Sequence, residues 1–137
     1  MADIKSCESA ATLSLTLQSR EDYEIRFLAR LTGTPFVGEV VASTYHNGPP
    51  STLFDEMAEC WAGWQGQKMW EAIDGELSLA ATTTPMGNVT LIVKMSVNDG
   101  DYTATALLKL EAGSLQRIAE DVRASSYRDC LESGPIS

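Results

Sequence analysis

Reactive side chains are scarce in this sequence. Its 137 residues hold one histidine, and the three cysteines, Cys7, Cys60 and Cys130, are odd in number and far apart. They form no Cys-x-x-Cys pair, so three reduced thiols are expected and not a disulfide framework or a zinc site. A Ser-His-Asp or Cys-His arrangement would have to use His46, which sits in the loop His46-Asn47-Gly48-Pro49-Pro50, the setting of a surface residue. There is no Gly-x-Ser-x-Gly elbow. Gly63-Trp64-Gln65-Gly66 has too few glycines for a dinucleotide loop and follows a helical pattern where a strand is needed. Walker-type Lys-Ser/Thr pairs and EF-hand spacing are missing too. The expectation is a protein with no catalytic residues, no metal site and no cofactor.

Positive charge is also short, with 10 Lys+Arg against 19 Asp+Glu and a net charge of −9. Nucleic-acid backbones attract basic surfaces, so nucleic acid is not an expected partner. The imbalance steers the chain toward a basic protein partner, or does no more than keep it soluble. No run approaches the roughly 20 apolar residues that a membrane span needs, and Met1-Ala2-Asp3-Ile4-Lys5 lacks the basic and apolar regions of a signal peptide. A cytoplasmic location without membrane contact follows as the expectation.

What the sequence does have is the composition of a globular domain, 44% hydrophobic and 21% charged, in a length suited to one domain over 1–137. Residues 1–10 and 132–137 read as loose ends. Between them, apolar residues alternate at Leu13, Leu15 and Leu17, then at Tyr23, Ile25, Phe27, Ala29 and Leu31, and Phe36 to Tyr45 is rich in β-branched and aromatic residues. Period two marks strands with one buried face. Ser51 or Thr52 is placed to cap a helix whose stripe is Leu53, Phe54, Met57, Ala58, Trp61 and Trp64, with Asp55, Glu56 and Glu59 opposite. Three further strands run through Leu77–Ala81, Val89–Val97 and Tyr102–Leu110. Thr84-Pro85-Met86-Gly87 and Asn98-Asp99-Gly100-Asp101 are the turns between them. A second helix follows Gly113-Ser114, with Leu115, Ile118, Ala119 and Val122 inward.

The layout βββ-α-βββ-α predicts an α+β fold built on one antiparallel sheet of about six strands, with both helices packed on one face. Its outer face would carry Glu24, Arg26, Thr90, Lys94, Thr103 and Lys109. Trp61 is expected in the core. Trp64 and Trp70, beside glycines, are candidates for exposed ring faces, because Trp dominates interface hot spots. Glu71, Asp74 and Glu76 flank Gly75 in a turn whose default is solvation, the alternatives being an acid–base or metal-binding cluster and a partner contact. The helix carboxylates Asp55, Glu56 and Glu59 are a solvated face or an acidic docking patch. The candidate partner-binding set is thus Asp55, Glu56, Glu59, Trp64, Trp70, Glu71, Asp74 and Glu76.

The run from Phe54 through Met57-Ala58, Trp61, Gly63-Trp64, Gly66, Lys68 and Trp70, followed by Gly75-Glu76-Leu77, Gly87-Asn88-Val89-Thr90-Leu91 and Leu110-Glu111-Ala112-Gly113, carries a resemblance. It resembles a family of small bacterial proteins of unassigned function marked by Trp-x-Gly-Trp-x-Gly-x-Lys-x-Trp and a following Gly-Glu-Leu, and the likeness covers roughly residues 54 to 120. The element order is also similar to that of immunity proteins of bacterial polymorphic toxins. That second likeness implies a small, acidic, cytoplasmic, non-enzymatic protein that binds a basic cognate toxin domain and covers its active site, as a monomer or weak homodimer. A self-associating structural or regulatory module and a phage-borne inhibitor of host defence are the alternatives. In the motif itself, Gly63 and Gly66 would let the chain turn after the helix, the tryptophans would bury area at the junction, and Lys68 would lie over a ring or pair with Glu71.

Overall fold

The computed structural model describes the backbone of residues 2–21, 24–33, 35 and 37–133, and their side chains apart from residue 98 and residues 125–133. Tyr23, Phe36 and the Cys130 side chain therefore lie outside the described residues, as do residues 134–137 of the expected C-terminal loose end.

The chain forms two four-stranded antiparallel sheets, not one sheet of six strands. The first is made of β1 (Ala2–Lys5), β2 (Thr12–Glu21), β3 (Glu24–Thr32) and β4 (Gly38–Ser43), in that spatial order. After the helix α1 (Ser51–Glu59), the second sheet follows as β5 (Lys68–Glu71), β6 (Leu77–Thr83), β7 (Asn88–Val97) and β8 (Tyr102–Glu111), again in sequence order. The helix α2 (Leu115–Ser133) closes the chain. Hairpin connections make each strand pair with its sequence neighbour, and the long β4–α1–β5 connection leaves β4 and β5 as edges of separate sheets. The single-sheet expectation fails at that point: local pairing is obeyed within each half, and nothing pairs across α1.

The six longer strands cover the expected runs, but β2 continues through residues 19–21, where the polar residues suggest a turn. The two extra strands, β1 and β5, are four residues each. β1 occupies the expected N-terminal loose end, and its Ala2 and Ile4 are buried. The turn before β8 also matches expectation, because Asp99 and Gly100 both take positive φ, 56° and 95°, as a tight hairpin link requires.

Inward residues of both sheets meet in one core. Leu13, Leu15, Phe27, Ala29 and Leu31 come from the first sheet, and Leu77, Leu79, Leu91, Val93 and Leu108 from the second. Leu53, Phe54 and Met57 of α1 and Leu115, Ile118, Ala119 and Val122 of α2 join the same cluster. The helices pack on each other, α2 also against β1 and β2, and α1 against β5. They do not share one face of a single sheet; they complete a core bounded by two. Removing a large side chain from such a site costs roughly 2–5 kcal/mol.

The outer faces differ. On the first sheet the register places Asp3, Ser14, Arg30 and Glu39 in one cross-strand row. The Ser14 hydroxyl donates to Asp3 (2.7 Å), and Arg30 Nε lies 3.6 Å from Glu39 Oε2. On the second sheet the corresponding row is Met69, Ala80, Ile92 and Leu107, with Met69 and Leu107 exposed. Of the residues expected on the outer face, Arg26, Lys94 and Thr103 are exposed, while Glu24, Thr90 and Lys109 are half-buried.

Two links hold the sheets edge to edge. Beyond β1, Cys7 N–H donates to the Lys109 carbonyl (2.8 Å) and Lys109 N–H to Ser6 Oγ (3.1 Å). At the opposite edge of the first sheet, Ser43 N–H donates to Glu76 Oε1 (3.3 Å). Inside, the Phe27 and Trp70 rings bridge the sheets with centroids 6.0 Å apart.

Candidate functional site

The tryptophan run is built as a fold element. α1 starts at Ser51, with Pro50 as its N-cap and no side-chain cap, and its first turn carries no acidic residue. The helix ends at Glu59, before the apolar stripe reaches Trp61. Trp61 consequently falls in a turn and is 64% exposed, which corrects the expectation that it packs in the core. Gly63 and Gly66 then take positive φ, 119° and 72°, and reverse the chain into β5. The Thr83 hydroxyl accepts from Trp64 N–H (3.2 Å) and donates to the Trp64 carbonyl (3.0 Å), while Trp64 Nε1 donates to the Ala81 carbonyl (3.2 Å). Lys68 Nζ lies 5.5 Å from the Trp64 ring centroid and 3.9 Å from Glu56 Oε2, so its carboxylate neighbour is Glu56 and not Glu71.

Trp70 is 6% exposed and its Nε1 donates to the Gly48 carbonyl (3.0 Å). Its ring is therefore unavailable to a partner, which removes it from the candidate contacts; Trp64 is half-buried. Asp55 pairs with Arg123 of α2 (2.9 Å), tying the two helices at their exposed sides. Glu59 is exposed. The α1 carboxylates thus form one group, two of them engaged in ion pairs on the protein's own surface.

The second group is richer. The turn 72–76 is closed by Gly75 N–H donating to the Ala72 carbonyl and Ala72 N–H to the Leu77 carbonyl, both 2.9 Å. Asp74 is exposed and Glu76 half-buried, facing the end of β4, while the Glu71 carbonyl accepts from Asn47 Nδ2 (2.8 Å). Together with β3 and β4 the turn encloses an open groove of about 510 Å³ lined by Asp74, Glu76, Glu24 and Arg26 and by the apolar Val41, Tyr45 and Ile73. Those three apolar side chains are 43%, 50% and 42% exposed.

Ser43 is the hub of this groove. Its N–H donates to Glu76, its hydroxyl donates to the Glu24 carboxylate, and Oγ accepts from Tyr45 N–H (3.0 Å). The Ser43 hydroxyl holds the Glu24 carboxyl below the ordinary glutamate range, against the opposing effect of desolvation and with help from Arg26, whose Nε is 3.1 Å away. Glu24, Val41, Tyr45 and Ile73 are absent from the sequence-derived candidates. The available signals were local breaks in pattern: Val41 stands at a solvent-side position of an amphipathic strand, and Ile73 in a polar turn.

Among the described residues no group of three or more His, Cys, Asp or Glu side chains is arranged to hold a metal ion. Cys7 and Cys60 are free thiols, and no helix among the described residues is long and apolar enough to cross a membrane. His46 is exposed in its loop, with positive φ (68°). The groove thus combines partly exposed apolar side chains with Asp74, with Arg26, and with Glu24 and Glu76, both held by Ser43.

The chain is an α+β domain of two four-stranded antiparallel sheets and two helices. The chain belongs to a family of unknown function (DUF6228), and the match covers residues 4–128. No curated protein and no solved structure matches it.

Proposed function

We propose that this protein is an immunity-type inhibitor that acts in the cytoplasm by binding a basic toxin domain and covering its active site. The observation that carries the reading is the groove between β4 and the 72–76 turn, where Asp74, Glu76 and Glu24 surround Val41, Tyr45 and Ile73. Interfaces combine an aromatic and aliphatic centre with a polar rim, and a rim of three carboxylates against one guanidinium, Arg26, favours a basic partner. The overall charge of −9 would speed encounter with that partner. The test is co-expression and pull-down with the toxin-like product of the neighbouring gene, at low and high salt. Binding that protects cells and weakens with salt is expected; neither binding nor protection would overturn the reading.

One observation favours a second reading. The row Met69, Ala80, Ile92 and Leu107 spans the outer face of the second sheet, with Met69 and Leu107 exposed, which suits self-association. Sedimentation separates the two: a monomer supports the inhibitor, and a stable dimer lost on Leu107→Lys supports the self-associating module.

A further inference from the structure

We propose that the β4 edge at Glu39 and Val41, the stretch that Glu76 does not engage, takes up an extended, basic segment of the partner as a fifth strand of the first sheet. The inference rests on the reading that the partner is a basic protein, and it specifies how that protein is held.

Backbone parity sets the argument. Thr44 N–H donates to the Ile25 carbonyl (2.9 Å) and Ile25 N–H returns a bond to Thr44 Oγ1 (2.8 Å), so Thr44 and Ile25 stand at a bonded position of the ladder. Such pairs alternate along an antiparallel ladder, which makes Ala42–Phe27 and Val40–Ala29 the next bonded pairs in the register. Ser43, Val41 and Glu39 then turn their backbone groups away from β3. Ser43 agrees, since its N–H reaches the Glu76 side chain of the other sheet. Val41 and Glu39 have no such partner for their N–H and carbonyl groups among the described residues. Native edges are usually protected by charged side chains, lysine above all, by proline or by a bulge; β4, with the sequence GEVVAS, has one charge, Glu39, paired with Arg30, has neither lysine nor proline, and pairs with β3 in unbroken register.

Side-chain space accompanies the open edge. At one end lies the groove of Val41, Tyr45 and Ile73; at the other a groove of about 450 Å³ runs between the start of β4 and the β7–β8 hairpin, lined among others by Val37, Val97 and Tyr102. Six of the ten exposed large apolar side chains among the described residues lie in these two grooves. Strand addition draws affinity from main-chain bonds and specificity from pockets for alternate side chains, and both are present here.

Charge chooses the occupant. Glu24, Glu39, Asp74 and Glu76 line the two grooves against one cation, Arg26, with Arg30 nearby on Glu39. A second copy of this acidic chain would bring like charges to the same edge. A strand with lysine or arginine at alternate positions would set them against Asp74 and Glu76.

The probe is a fluorescent peptide of alternating lysine and valine, measured by polarisation against the folded protein. Its controls are the same peptide with alternate backbone N-methylation and a glutamate–valine version. Binding of the lysine peptide is expected, with at least about tenfold loss on N-methylation, which removes main-chain donors. Val41→Pro should cause a similar loss while the near-UV spectrum is unchanged, because its N–H is not used within the sheet. Binding that survives N-methylation and Val41→Pro overturns edge docking and leaves the acidic-surface reading in place. No binding of the basic peptide by a protein that still captures its toxin-like partner likewise overturns edge docking alone. Absence of both peptide and partner binding overturns the two together.

Discussion

The backbone N–H of Ser43, on the edge strand of the first sheet, donates to Oε1 of Glu76, at the entrance to the second, across 3.3 Å. Ser43 Oγ at the same point donates to Glu24. One residue thus fixes two of the carboxylates that line the candidate groove and links the two halves of the fold. Replacing Glu76 by Gln keeps an acceptor but removes the charge. The expected stability loss, read by urea denaturation, is below about 1 kcal/mol for so accessible a contact. The loss of partner binding should exceed it, and its salt dependence should fall.

Trp61 and Trp70 sit nine residues apart in one motif and should behave oppositely. Trp70 packs on Phe27 and is buried, whereas Trp61 is mostly exposed. Trp70→Ala should cost about 3–5 kcal/mol, and Trp61→Ala about 0.5 kcal/mol or less. Chemical denaturation of the two variants checks this directly. Equal losses would contradict the packing described.

The Glu24–Ser43 contact predicts a pH effect with a definite sign. The folded pKa of Glu24 is lowered, first by the Ser43 hydroxyl and then by Arg26. The unfolded chain therefore binds the proton more readily, and stability rises with pH through the window between the two values. The contribution is complete above the unfolded glutamate value of about 4.3 and disappears as pH falls through the lower, folded one. Thermal melts of Ser43→Ala should lie below the parent at neutral pH, and the part of the gap due to Glu24 should close in acid.

Gly33 offers a backbone test. Its φ is +77°, and a Cβ there would lie 1.9 Å from the Ala10 carbonyl oxygen. Gly33→Ala must displace the segment between β1 and β2, and should destabilise by more than about 1 kcal/mol. A melting temperature equal to the parent's would show that the segment does not pack as described.

The legible part of this fold was its long-period signal. Val89 to Val97 and Tyr102 to Leu110 alternate for nine residues each and are joined by Asp99-Gly100, so β7, β8 and their turn could be read directly. β1 and β5 could not, because a four-residue strand has only two inward side chains, too few to establish a period. The apolar stripe of α1 runs past the helix end because spacing alone does not stop a helix, so the pattern assigns Trp61 to a face that ends at Glu59. The division into two sheets depends on β4 and β5 not pairing across α1, a long-range outcome without a local code. The site was half legible for the same reason. Asp74 and Glu76 stand out in the turn, but Glu24, Val41 and Tyr45 reach them only after β3 and β4 have folded onto the second sheet.

Amide hydrogen exchange of the complex with the co-expressed partner tests the central claim most directly. If the protein works by lending its β4 edge to a basic strand, the Glu39 and Val41 amides should exchange markedly more slowly in the complex than in the free protein. Unchanged exchange at those two amides, with new protection on the Met69–Leu107 face instead, would contradict it.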